Sequence, residues 1–147
     1  MDVVDRRILA ALAADGRLTL QDLAARVHLG TSATRDRMRR LEQRGLLSGY
    51  RAVVDEAALG FPLDALVEVD LAPDGDMAAF EDGLRALPAV VEAVHATGDR
   101  DYLVRLRCAG TDDLHRTVRS LKADIGAMRT ETRVILDHPV AARQRLA

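Results

Sequence analysis

The chain has 147 residues, 48% of them apolar, 30% charged and only 3% aromatic, with a formal net charge of −2. Such a length allows one domain or two small ones, and it buries enough surface to fold without disulfides or metals. The single Cys108 cannot form an internal disulfide, no Cys/His spacing suits a metal, and no apolar run approaches the ~20 residues of a membrane span.

Val4, Ile8 and Leu12 recur at the spacing of one helical face. Asp15-Gly16 is expected to stop that helix, with Gly16 as the left-handed residue past its end. Thr19-Leu20-Gln21-Asp22 fits the Ser/Thr-x-x-acid start of a second helix, with Leu20, Leu23, Ala24 and Val27 as its buried stripe. The connection His28-Leu29-Gly30 leads to a third helix from about Thr31 to Arg44, closed by Gly45. On that helix Thr34, Met38 and Leu41 share one face. The opposite face holds Ser32, Asp36, Arg39, Arg40 and Gln43, flanked by Arg35 and Arg37.

Two short helices, a brief turn and a last helix with a polar, Arg-rich face make a helix-turn-helix signature. A helix fits the major groove, where Arg can donate two hydrogen bonds to guanine or one to a phosphate oxygen. The charge balance agrees once the chain is divided. Residues 1–51 carry ten arginines against six acids, a surplus of four positive charges, whereas residues 52–147 carry eleven basic residues against seventeen acids. That asymmetry indicates a division of labour.

Leu46 to Asp55 has no helical period, and the stretch from Leu47 to Val54 is expected to form a short hairpin arm and then a linker. Gly60-Phe61-Pro62 marks the next boundary. From there the period becomes two: Ala65, Val67, Val69 and Leu71 alternate with Leu66, Glu68 and Asp70 in a half-buried strand. Pro73-Asp74-Gly75 is a turn, and Met77, Phe80 and Leu84 give a helix ending near Pro88. Val90 to Thr97 and Tyr102 to Cys108 follow as strands joined by the turn Gly98-Asp99-Arg100-Asp101. Thr111 is placed to cap a helix whose stripe is Leu114, Val118 and Leu121, with Asp112 and Asp113 at its positive end. Arg129 to Leu136 alternates again, and a short polar helix or frayed tail follows from Pro139.

The expected fold class is therefore α+β: a three-helix, winged-helix-like helix-turn-helix domain over 1–51, a linker over 52–62, a ferredoxin-like βαββαβ domain over 63–138 and a tail over 139–147. Leu66, Leu103 and Val91 or Val90 fall on the sheet face away from the helices, which favours a homodimer that covers them. His28, His95, His115 and His138 show no nucleophile or ligand pattern, Tyr102 reads as core, and no cofactor is indicated. Acidic Asp2 and Asp5 stand where a basic leader would be, so a cytoplasmic protein is expected.

Several blocks carry a resemblance: Asp5-Arg6-Arg7-Ile8-Leu9, Asp15-Gly16-Arg17, Leu23-Ala24-Ala25-Arg26-Val27, the run from Arg37 to Leu41-Glu42 with Gly45 to Ala52, and Thr97-Gly98-Asp99-Arg100-Asp101-Tyr102. In this order they resemble the Lrp/AsnC family, the feast/famine regulators of bacteria and archaea, over nearly the whole chain. The resemblance implies a DNA-binding transcriptional regulator answering to a small effector such as an amino acid. It places Ser32, Arg35, Asp36 and Arg39 in the major groove of a roughly palindromic site, with Arg40 and Arg51 near phosphates and Thr31 also among the DNA-binding residues. It places an effector near Gly98, Asp99, Arg100 and Asp101, where Asp99 and Asp101 would pair with an α-ammonium group. Two departures stand out. The recognition helix opens with Gly30-Thr31 rather than Ser-Pro, so capping is expected to pass to Thr31 or Ser32. Arg100 replaces an aromatic in the effector turn, a cation that would attract an anionic group or exclude basic effectors. Two other readings share this architecture: an enzyme resembling sirohaem decarboxylases, and a regulator that senses no small molecule.

Overall fold

Helical periodicity at the start of the chain is realised as α1 (Val3–Ala14), α2 (Leu20–Val27) and α3 (Thr31–Gln43). The computed structural model describes residues 1–140, and the chain divides between Val53 and Val54 into two units. The expected tail from Pro139 lies, after Val140, outside the described residues.

In the first unit Ile8, Leu12, Leu23, Val27 and Leu41 are buried together, with Val4, Leu18, Leu29, Met38 and Leu47 packed around them. Each side chain removed from water contributes roughly 1.5–3 kcal/mol, which is what holds three short helices that would not persist alone. Thr19 caps α2 as expected: its Oγ1 accepts from the Asp22 N–H at 3.1 Å and donates to Asp22 Oδ2 at 2.7 Å.

Three local expectations are corrected. Gly16 is not left-handed; Asp15 ends α1 in an extended conformation at φ −148°, its N–H donating to Ala11 O. The left-handed residue that closes α2 is His28, at φ +56°, while Gly30 is extended at φ −70° and serves as the N-cap of α3. Neither Thr31 nor Ser32 caps α3, because both lie inside its first turn and the cap position has no side chain to offer. The hydroxyl of Thr34 instead donates back to Gly30 O at 3.0 Å, which satisfies it in the core. Gly45 closes α3 at φ +67°, as read from sequence. No strand forms between Leu46 and Pro62, so the hairpin arm is absent. Val53 and Val54 there are both exposed.

The second unit runs β1 (Leu63–Leu71), α4 (Met77–Ala86), β2 (Val90–His95), β3 (Tyr102–Cys108), α5 (Thr111–Ala123) and β4 (Ala127–Val134). The sheet order is β2-β3-β1-β4, antiparallel throughout, which is the ferredoxin-like arrangement. Val67 at the centre of β1 faces Val104 on one side and Thr132 on the other. Ala65, Val67, Val69, Tyr102, Val104, Leu106 and Cys108 form the buried sheet face, covered by Phe80 and Leu84 of α4 and Leu121 of α5. Gly83 lets α4 approach closely, since a Cβ there would lie 2.8 Å from Ile125 Cβ.

Differences from the sequence reading cluster at element ends. β2 stops at His95 rather than Thr97, and its register shifts between Val90 and Glu92. That bulge sets Val90 opposite Leu106, against the core, and Val94 opposite Leu103 on the outer face. Leu66 and Leu103 are half-buried on the outer face as expected, Val91 is exposed in the bulge, and Val90 is not on that face. Thr111 is the first helical residue and not a cap; Asp113 Oδ2 accepts instead from the Ala109 N–H at 3.0 Å. Among the described residues no helix is long and apolar enough to cross a membrane.

Candidate DNA interface and effector site

The exposed side of α3 follows from its burial pattern. Thr34 and Leu41 are buried, so the residues opposite must face solvent. Thr31, Ser32, Arg35, Asp36, Arg39 and Arg40 are all exposed, and Arg51 is exposed in the irregular stretch that follows. Among the described residues, none of Arg35, Arg39, Arg40 and Arg51 makes an ion pair. This side of α3 therefore offers unspent guanidinium donors. Gly30 adds no side-chain bond to the first turn, which leaves the N–H groups there without a side-chain partner.

Arg37 behaves differently. Its Nη1 donates to Asp2 Oδ2 at 2.6 Å and to Asp5 Oδ1 at 2.7 Å. The remaining oxygens of those acids complete a capping box on α1, with Asp5 N–H to Asp2 Oδ1 at 2.8 Å and Asp2 N–H to Asp5 Oδ2 at 3.2 Å. Partial burial pushes the Asp5 carboxyl up, but the bonds from Arg37 and from the Asp2 N–H outweigh it and hold its pKa below the ordinary value. Sequence reading placed Arg37 on the flank of the polar face and missed its partners. The signal was present in Asp2-Val3-Val4-Asp5, an acidic capping box ahead of an apolar run.

In the second unit the four residues of the expected effector turn do not converge. Gly98 is exposed at φ +136°, a backbone region that favours glycine, and Asp99 is exposed with no partner among the described residues. Arg100 turns onto the outer sheet face, where it pairs with Asp70 at 2.8 Å, Glu131 at 3.4 Å and Glu68 at 3.5 Å. The cation expected beside the pocket is thus enclosed by three carboxylates. Asp101 is occupied with the backbone of β1: its N–H donates to Val69 O at 3.1 Å and its Oδ2 accepts from the Leu71 N–H at 2.8 Å. Of the two aspartates, Asp99 has both carboxylate oxygens without a partner among the described residues, whereas Asp101 has one oxygen engaged.

Beside this turn lies a groove of about 350 Å³, lined by Glu81, Arg85, Val91, Glu92, His95 and Tyr102 among others. Tyr102 is core, as expected, but its hydroxyl donates to Glu81 Oε1 at 3.0 Å and its ring stacks with His95 at 4.9 Å. Burial first, then the bond to Glu81, raises the Tyr102 pKa and keeps the phenol protonated. His95 and Glu81 carried no sequence signal, because His95 comes opposite Tyr102 only when the strands are joined by residues 96–101 and not by the shorter turn 98–101 that the sequence suggests.

A second ion cluster holds the outer face. Asp64, 4% exposed, receives Arg105 at 2.7 Å, Arg107 at 3.1 Å and His138 at 2.7 Å. Burial raises its pKa, yet the bonds from Arg105 and His138 and the charges of Arg105 and Arg107 set it below the usual carboxylate range.

Residues 64–144 match the model of the Lrp/AsnC ligand binding domain, and residues 1–48 match that of a winged helix-turn-helix DNA-binding domain. The chain is 33% identical to the HTH-type transcriptional regulator AldR of Mycolicibacterium smegmatis, over 94% of this chain and 82% of that protein. The leucine response regulatory protein LrpA of Mycobacterium tuberculosis gives a TM-score of 0.83 at 32% identity, covering 100% of both chains. A transcriptional regulator of Neisseria meningitidis, solved in complex with L-Met, gives 0.91 at 26% identity, covering 96% of this chain and 93% of that one. With an Arg-bearing recognition helix in its first unit and a βαββαβ sheet in its second, the chain belongs to the Lrp/AsnC family of helix-turn-helix transcriptional regulators.

Proposed function

We propose that the protein regulates transcription as a homodimer that seats α3 in the major groove of a roughly palindromic DNA site and answers to an amino acid. The observation that carries this is the exposed side of α3, with Arg35, Arg39 and Arg40 unpaired among the described residues. Arg39 with Ser32, Arg35 and Asp36 reads base edges, while Arg40 and Arg51 contact phosphates and Thr31 lies at the helix start beside them. Half-buried Leu66 and Leu103 with exposed Val94 on the outer sheet face support a dimer, which sets two recognition helices one DNA turn apart. The Leu103→Glu variant is expected to be monomeric in sedimentation and to bind DNA more weakly. A monomeric wild-type chain, or a Leu103→Glu chain that remains dimeric, would remove this part of the reading.

An amino acid is the effector class that suits the turn. Asp99 offers a carboxylate to an α-ammonium, and Gly98 presents bare backbone to the carboxylate end. The groove beside His95 and Tyr102 has room for a side chain. The relative solved with L-Met supports this class of ligand. A thermal-shift screen with the twenty amino acids tests it: a ligand bound only by the folded state raises the melting temperature, and Asp99→Ala cancels the rise. No shift at millimolar concentration leaves the regulator without a small effector. The enzyme reading has its own test in the absorbance of added sirohaem. The regulatory names of the relatives and the engagement of His95 with Tyr102 and His138 with Asp64 speak against that reading.

A further inference from the structure

The recognition helix carries one arginine that does not face outward with the rest. At 100° per residue Arg37 lies about 40° from Leu41 and about 60° from Thr34, the two buried anchors of α3, and nearly opposite Arg39. It sits on the border between the buried and the exposed sides, only a quarter exposed. Its partners come from the other end of the unit, 35 and 32 residues away in sequence. Both carboxylates divide their oxygens in the same way, one into the α1 capping box and one onto the single Nη1 of Arg37.

From this arrangement we infer that Asp2, Asp5 and Arg37 form a clamp that sets the roll of the recognition helix about its own axis, making Arg37 a positioning residue and not a DNA contact. Thr34, Met38 and Leu41 fix where α3 lies against its neighbours, but all three fall within about 60° of the helix circumference, and contacts along one narrow line leave rotation about that line soft. An ion pair at the border of the line resists it. The acids that hold Arg37 are themselves rigid, because each is bound into the first turn of α1. A roll error of a few degrees moves the tips of Arg35 and Arg39 by an ångström or so, enough to spoil bidentate geometry at a base edge while leaving diffuse attraction to phosphates intact.

The inference rests on the reading of α3 as the groove-binding helix, and the experiment separates the two. The full chain is titrated against a duplex that the wild-type protein selects from a randomised pool, and against an unrelated duplex of equal length, across a range of salt concentrations. Asp5→Asn and Arg37→Met are each expected to weaken binding to the selected duplex about tenfold, to change binding to the unrelated duplex less than about twofold, and to leave the salt slope unaltered. Arg40→Ala, as a phosphate-contact control, lowers the slope by about 1.8 for the dimer, one contact from each protomer, and weakens both duplexes alike. Arg37→Lys keeps one charge between the two acids and falls between wild type and Arg37→Met.

The sign for Asp5→Asn is decisive. If Arg37 reached DNA, releasing it from an acid would tighten binding; tighter or unchanged binding overturns the clamp, as does a lowered salt slope in Arg37→Met. Asp2→Asn, at the more exposed acid, gives a milder version of the same loss should Asp5→Asn fail to fold. Circular dichroism at the assay temperature separates unfolding from misplacement. Arg39→Ala that leaves both duplexes unaffected removes the groove reading itself, a different failure from that of the clamp.

Discussion

In the helical unit Arg35, Arg39 and Arg40 stand exposed and unpaired among the described residues, whereas in the sheet unit Arg100, Arg105, Arg107 and Arg133 are each bound to acids on strands or the preceding turn. The same side chain thus has two uses. In the first unit its charge remains available for a polyanion, and in the second it is spent on the protein's own carboxylates. The second unit still has acids in excess, so attraction to DNA is confined to the first. Arg37 is the exception within the helical unit, paired like the arginines of the sheet.

The largest test of this contrast falls on the sheet. Asp64→Asn leaves Arg105 and Arg107 without their shared acid and is expected to cost about 3 kcal/mol in urea unfolding, the scale of a broken buried pair. DNA binding by the folded variant should be unchanged; a loss there would break the division of labour. The same acid sets a pH signature. Because its folded pKa is lowered, its contribution is complete above the unfolded value of about 4 and is lost as pH falls through the folded value. The sheet unit should weaken below about pH 4, and Asp64→Asn should flatten that decline.

Next in size is Arg39→Ala, expected to weaken DNA binding by about 1–3 kcal/mol, or roughly fivefold to 150-fold, with no change in melting temperature. A lower melting temperature would mean that Arg39 supports the fold, and the contrast between free and spent arginine would fail. Gly83→Ala probes packing without touching charge. The added methyl meets Ile125, and overpacking exceeds the helix-propensity gain by about 1–2 kcal/mol in equilibrium unfolding. The smallest effect falls on the helical unit: His28→Gly relieves a left-handed backbone at φ +56° and should add about 0.5 kcal/mol of stability. Unchanged DNA affinity in that variant would show that the face of α3, and not the stability of its unit, sets binding.

What was legible in the sequence was whatever repeats locally. The stripes Val4-Ile8-Leu12 and Ala65-Val67-Val69-Leu71 set their elements and faces, since a period of 3.6 or 2 is a local property. Helix punctuation was legible only in part. Thr19 and Gly45 behave as their types suggest, but Gly16 and Gly30 do not occupy the left-handed position that His28 takes. A glycine next to a helix end permits that conformation without requiring it. The fate of Arg100 was hidden because its partners Glu68, Asp70 and Glu131 lie about thirty residues away and meet it only through strand pairing. Arg37 was hidden likewise, since Asp2 and Asp5 lie 35 and 32 residues away and meet it only through the packing of α1 against α3. The bulge at Val91 moved Val90 onto the core side, and no composition rule marks a bulge without glycine.

One further consequence follows from Cys108. It is the chain's single cysteine, sits at the end of β3 with no exposed surface, and burial raises its thiol pKa, so the folded protein should be inert to thiol reagents. Labelling can then proceed only when the sheet opens. The rate of that reaction is a clock for one unit alone, running inside the full-length protein, and it reads whether an amino acid that tightens the sheet does so before any DNA is present.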